Sequence, residues 1–295
     1  MAEKVGVYNR LFISPGAADS GTFVEFEFME GSQIGLQEQF LNAGGMNGTR
    51  VMLAARTRQG NRQAQGNLVC TPTPAELDIL LTWATGGTKT GNDIDVSESA
   101  DVPARWLTTF RDGTYELYDG VKTGTFSLQA NEGSPLQMSM TLQGIDEAAD
   151  SAPTTPTAID VSGGPYVMTD CALTVAATTY QFRGFSLECD NQLETRFNNS
   201  QTPTSIHSTG FQARVSLTLP LGEASALYGS AVGGVAVVAT FTNGTRSLAI
   251  SLAAVQAPRS SKPFGTRGAL DLNWDGDVRK TGSSPIIRFA NDSTV

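Results

Sequence analysis

Leu68 to Ala84 read LVCTPTPAELDILLTWA, and the plan of the chain is legible in these letters. Leu68 to Cys70 has the apolar character of a short strand. Thr73 is placed to cap a helix, Pro74 takes the first helical position, and Glu76 completes a capping box with Thr73. Leu77, Leu80, Leu81 and Ala84 fall on one stripe at helical spacing, and Gly86 and Gly87 stop the run. The spacing predicts a strand followed by a short buried helix. Trp83 and Leu80 belong to that core stripe rather than to a ligand pocket.

The same device recurs in Val215 to Ala231, VSLTLPLGEASALYGSA, at a shift of 147 that carries Glu76 to Glu223, Leu80 to Leu227 and Gly87 to Gly234. A hairpin signal follows each copy. Thr109 to Thr114 centres on Asp112-Gly113, and Thr240 to Thr245 centres on Asn243-Gly244, at a shift of 131. Asp-Gly and Asn-Gly suit a two-residue type I′ turn, in which both central residues need φ > 0. Leu136 to Gly144 then resembles Leu270 to Gly276 at a shift near 132. The difference between 147 and 131 is 16, the length of the polar stretch TKTGNDIDVSESADVP at 88–103. One insertion therefore reconciles the matches in order. A rival match of Phe126-Ser127-Leu128 with Phe185-Ser186-Leu187, at a shift of 59, fits neither register and is set aside.

Elsewhere, Phe23 to Phe28, Gln137 to Leu142, Gln212 to Leu219 and part of Ser247 to Leu252 alternate by two, as half-buried strands do. Residues 146–165, rich in Ala, Pro, Thr and Gly, read as a boundary. The expected fold is mainly β, sandwich-like or barrel-like, with one short helix per domain. Two tandem repeated domains are expected at 1–150 and 166–295, joined by a linker at 151–165.

The chain has 295 residues, 40% of them hydrophobic and only 17% charged, with a formal charge of −9. Such an acidic chain is not built to grip DNA, since that affinity comes from cations displacing counterions. No apolar run is long enough for a signal peptide or a membrane span, and the chain reads as soluble and made in a cytoplasm. Cys70, Cys171 and Cys189 lack CxxC spacing and read as reduced, largely buried thiols, with a Cys171–Cys189 disulfide left open.

No catalytic or metal residue is assigned, no cofactor is expected, and the chain is not read as an enzyme. His207 is the single histidine and sits in a Ser/Thr-rich stretch without a nucleophile motif. Asp271, Asp275 and Asp277 lack the Gly and distal Glu of a calcium loop, so they read as a strand ending in a turn at Asp275-Gly276. Asp93 and Asp95 read as solvated residues of the insert.

A strand, a proline-led helix, a DG or NG hairpin and further strands resemble the plan of the phage tail tube domain. Tyr180 to Phe197 resembles the second half of two-domain members of that family, where a strand leads into an Asn-containing turn. Tube domains of contractile tails and secretion tubes are similar. The resemblance covers most of the chain, and what it implies is mechanical. Such chains form rings whose sheets join into a barrel, and the rings stack into a hollow tube passing double-stranded DNA. Two-domain members place three chains in a ring with pseudo-sixfold symmetry. The implied setting is a long-tailed, siphophage-type virion tail assembled in the bacterial host cytoplasm, with the chain itself and other tail proteins as partners and no membrane.

Under that resemblance, Arg50, Arg56, Arg58 and Arg62 have three open readings: phosphate contact in the lumen, pairing with acidic residues of the next ring, or coating of an exposed hairpin. Ile286, Ile287 and Phe289 form either a last edge strand or an arm to a neighbouring subunit. Two other functions stay open at this point. One is a different virion part, such as a baseplate or decoration protein. The other is a β-sandwich carbohydrate-binding module, although the aromatics, at 8%, mostly alternate as core rather than forming a platform.

Overall fold

The structure is a computed structural model that describes residues 9–14, 16, 23–42, 57–150, 152–153, 156–158, 163–220, 222, 227, 229, 231–259 and 270–293. The first half contains β1 (Arg10–Ile13), β2 (Val24–Phe26), β3 (Gln33–Asn42), β4 (Thr57–Cys70), α1 (Pro74–Thr85), β5 (Lys89–Thr90), β6 (Asp93–Asp95), β7 (Arg105–Arg111), β8 (Thr114–Asn131), β9 (Gln137–Gly144), β10 (Asp146–Asp150) and β11 (Thr157–Ala158). After a 3-10 turn at Met168–Asp170, the second half contains β12 (Cys171–Val175), β13 (Thr178–Tyr180), β14 (Gly184–Asp190), β15 (Leu193–Arg196), β16 (Ser205–Ser208), β17 (Gln212–Pro220), β18 (Ala231–Asn243), β19 (Arg246–Ala257), β20 (Asp271–Arg279) and β21 (Ile287–Asp292). The fold is mainly β, and α1 is the single α-helix among the described residues. The helix expected after β17 falls at 221–230, which lies outside the described residues except for 222, 227 and 229.

One long sheet runs in the order β3-β4-β9-β8-β14-β17-β20-β19. Two further ladders lie against it. The first runs β11-β2-β1-β7-β8-β10. The second runs β13-β12-β18-β19-β21-β6-β5. β8 changes ladder along its length. Its residues 114–121 pair with β7, whereas 122–129 pair with β9 and 125–131 with β14. A register shift between Thr123 and Phe126 marks the crossing, as bulges do where a strand bends. β15 and β16 form a separate hairpin.

Alternation explains the burial. Phe126, Leu128 and Ala130 of β8, Phe185, Leu187 and Cys189 of β14, and Val215 and Leu217 of β17 all face one core, while the residues between them face out. Helix α1 forms where its letters dictate. The Thr73 hydroxyl accepts from the Glu76 amide, the Glu76 carboxylate accepts from the Thr73 amide, and Gly86 closes the helix at φ 67°. Leu77, Leu80, Leu81 and Trp83 are fully buried, each stabilising the fold by about 1.5–3 kcal/mol.

The hairpins differ from each other by one residue. Arg111 pairs with Thr114 around Asp112 (φ 57°) and Gly113 (φ 84°), as a type I′ turn requires. In the second half Asn243 pairs with Arg246, so the central residues are Gly244 and Thr245. Of those two only Gly244, at φ 63°, lies in the left-handed region, the signature of a II′ turn. The expected type I′ turn at Asn243-Gly244 is therefore corrected. Asn243 ends the strand, and its side-chain amide donates to the Gly163 carbonyl at 2.6 Å.

The turn expected at Asp275-Gly276 is also corrected, because β20 runs straight through it. Gly276 is there for space, since a Cβ would come 2.5 Å from Val255 Cγ1.

Candidate functional site

The first feature is a seam between the halves. β8 and β14 pair antiparallel from Asn131↔Gly184 to Thr125↔Asp190, with Leu128 opposite Leu187. Helix α1 packs on β8 of the first half and on β19 and β21 of the second, and is hydrogen-bonded from the second half at both ends. The buried Asn191 side chain donates to the Ala84 and Thr123 carbonyls at 2.9 Å, using an otherwise orphaned carbonyl of the last helical turn. The buried Asn291 side chain donates to the Pro74 carbonyl and to Asp78 Oδ1, both at 2.7 Å. Tyr166 Oη reaches Asn291 Oδ1 at 3.3 Å.

The insert at 88–103 belongs to the seam, which corrects its reading as solvated. Ile94, Val96 and Val102 are buried, and β6 pairs with β21 through Asp95↔Arg288 and Asp93↔Ala290. Arg288 grips Asp95 with two hydrogen bonds, at 2.6 and 2.9 Å, and reaches Asp93 at 3.2 Å. Glu98 pairs with Lys280. Asp101 pairs with Lys122 at 2.6 Å and accepts from the Ser208 amide at 2.9 Å. Burial pushes the Asp101 carboxyl up, but the Lys122 ammonium, the Ser208 amide and His207 hold it below its ordinary range.

The second feature is the outward face of the long sheet. Ser139, Ser127, Glu188, Arg214 and Asp277 form one register row across β9, β8, β14, β17 and β20. Thr141, Thr125, Asp190 and Gln212 lie alongside in an open groove of about 790 Å³. The face is uncharged toward β9. Toward β20 it carries Glu188, Asp190, Asp275 and Asp277 against Arg214 and Arg279.

The third feature is the edge formed by β3. Among the described residues β3 pairs with β4 alone. Phe40 and Leu41 are 64% and 51% exposed near its end, and Phe28 and Met29 are 36% and 40% exposed just before its start. Beside that start lies a pocket of about 280 Å³ lined by Phe28, Ile34, Leu68, Leu107 and Leu142.

These features bring only some of the expected residues together. Arg58 is exposed on β4 opposite Leu41, and Arg62 on the same strand pairs with Asp146 at 2.9 Å. Arg50 and Arg56 lie outside the described residues. Ile287 and Phe289 are fully buried on β21, which is hydrogen-bonded on both sides, to β19 and β6. They belong to the protein's own core, so the reading of that run as an arm or an edge strand is corrected, and Ile286 is half-buried against the same core.

His207 stands on β16 with Nδ1 3.3 Å from Asp101. Asp271, Asp275 and Asp277 follow strand β20, and no group of three or more metal-ligating side chains gathers among the described residues. The three cysteines are free, and burial pushes Cys70 and Cys171 to about 12 and Cys189 well up, which leaves them poor nucleophiles.

A family model described as phage tail tube protein matches residues 12–278. A comparison with curated proteins gives no match.

Proposed function

The chain belongs to the phage tail tube protein family, and from that premise we propose that it self-assembles into stacked rings enclosing a channel for double-stranded DNA. Membership supports a structural role in the virion tail. The observation that carries the finer reading is the β8–β14 seam. Inside one chain, the first half already extends its sheet by strand β14 of the second.

The neighbour orders β1-β7-β8-β9-β4-β3 and β12-β18-β19-β20-β17-β14 correspond strand for strand. This supports two tube domains, at 1–150 and 166–295, joined by 151–165. β19 then stands where β8 stands, and β3 where β14 stands. Repeating the seam between copies sets β19 beside β3 of the next chain and pairs the open edge, as closed rings do. Three chains supply six quasi-equivalent domains.

In this reading the polar face of the long sheet lines the channel. Its Ser, Thr and Gln rows and excess of carboxylates let DNA slide without sticking, because like charges repel. The β3–β4 hairpin, with Arg50, Arg56, Arg58 and Arg62, meets the next ring. Other tail proteins end the tube, and assembly takes place in the bacterial host cytoplasm, giving a long siphophage-type tail. Negative-stain electron microscopy of the purified, concentrated protein tests this. Hollow tubes or stacked rings of uniform width are the expected result, and closed oligomers that never stack at any concentration would favour a baseplate or decoration role.

A further inference from the structure

We propose that the insert at 88–103 fixes the order in which halves succeed one another, accepting the outer strand of a second half and rejecting that of a first. The inference rests on the reading that first and second halves alternate around a ring. Its starting point is that β10 and β21 occupy matching places. β10 runs antiparallel along β8, and β21 runs antiparallel along β19.

The hairpins set the correspondence residue by residue. Arg111↔Thr114 matches Asn243↔Arg246, an offset of 132 on each strand (243 − 111 and 246 − 114). Asp119 on β8 therefore corresponds to Ser251 on β19 (119 + 132). Asp119 is registered with Asp146, and Ser251 with Arg288. The place that holds an arginine in the second half holds an aspartate in the first.

The insert reads this one difference. Its Asp95 takes Arg288 with two hydrogen bonds and its Asp93 adds a third contact. Such paired geometry is specific for a guanidinium. Set against β10, the same two carboxylates would meet Asp146, with Glu147 and Asp150 close by on that strand, and like charges facing each other across a ladder are destabilising. Arg62 already engages Asp146 at 2.9 Å within the first half, so no cation is left there for the insert. Discrimination between strands by a repulsive arrangement as well as an attractive one is how specific interfaces exclude wrong partners.

The second half has no matching insert, since with the hairpins in register the chain is 15 residues shorter at that point (147 − 132). The join between copies is thus made without this clamp, and the join within a copy is made with it.

The test reverses the sign of the insert in the full chain, at concentrations where the wild type stays unassembled. Asp93→Arg with Asp95→Arg should release the insert from Arg288. The amides of Val96, which donates to the Ile287 carbonyl, and of Asn291, which donates to the Asn92 carbonyl, should then exchange roughly tenfold faster or more. The reversed insert should seek β10 of another copy, giving concentration-dependent association by light scattering. Adding Arg288→Asp should return the insert to its own chain, restore slow exchange and restore the monomer, which also controls for misfolding. Unchanged exchange in the reversed chain overturns the proposal. So does release without association, and so does failure of Arg288→Asp to rescue. Failure of the wild type to form rings would show in micrographs and leave these readouts intact.

Discussion

Leu128 of β8 and Leu187 of β14 stand opposite each other, both fully buried, in a ladder that joins residues from either side of 151–165. Each is expected to cost about 2–5 kcal/mol when cut to Ala. Because they share one site, the double variant should depart from additivity by roughly 0.5–3 kcal/mol. Urea denaturation of the four chains of the cycle measures both values.

Thr73→Ala removes one half of the capping box, in a place where the Glu76 partner is buried. A loss of about 1 kcal/mol is expected, and Thr73→Ser should recover most of it. Thermal melts of the three chains check the order.

Gly87 lets the end of α1 pass close to the insert, since a Cβ there would come 2.0 Å from the Asp95 carbonyl oxygen. Gly87→Ala should cost about 1–3 kcal/mol through forced backbone shifts. Hydrogen exchange should locate the damage at Val96 and β6 rather than at the distant β17–β20 ladder.

Neutralising Arg56, Arg58 and Arg62 together should impair polymerisation while the fold survives. Arg62→Ala alone also removes the Asp146 pair, which is one-third exposed on each side and is therefore worth roughly 0–1 kcal/mol. Pelleting assays read the assembly defect and urea midpoints read the stability. Normal tubes from the triple variant would remove the hairpin from the ring-to-ring contact.

Asp101 carries the pH dependence of the seam. Its carboxyl is held below its ordinary value of 3.8 in the folded chain. A depressed acid stabilises fully above that value, and the contribution disappears as pH falls through the lowered one. Asp101→Asn should therefore lower the urea midpoint at neutral pH, and the gap to the wild type should close as the pH falls through the lowered value.

Helix α1 was legible because its signals are local. Thr73, Pro74, Glu76 and the leucine stripe lie within one short window, and the structure returns each in its expected role. The Asp112-Gly113 hairpin was legible for the same reason. The seam was not. Phe126-Ser127-Leu128 and Phe185-Ser186-Leu187 look alike because both turn alternate residues into one core, and the likeness signals mutual pairing rather than repetition. Asn191 and Asn291 carry no mark in the sequence that separates a buried helix clamp from an ordinary polar residue. The carboxylates of the insert read as solvated because their partners are far off, Arg288 lying 193 residues beyond Asp95 and Lys280 lying 182 beyond Glu98.

That separation sets a timetable for synthesis. Asp95 leaves the ribosome long before Arg288 is made, and at about 5–20 residues per second the wait is roughly 10–40 s. Through that interval Ile94 and Val96 have no β21 to cover them, and Pro74 and Asp78 have no Asn291. The first half must therefore emerge with one sticky flank, which stays open until the closing strand is made. Nascent chains stalled before residue 287 should be the form that host chaperones hold.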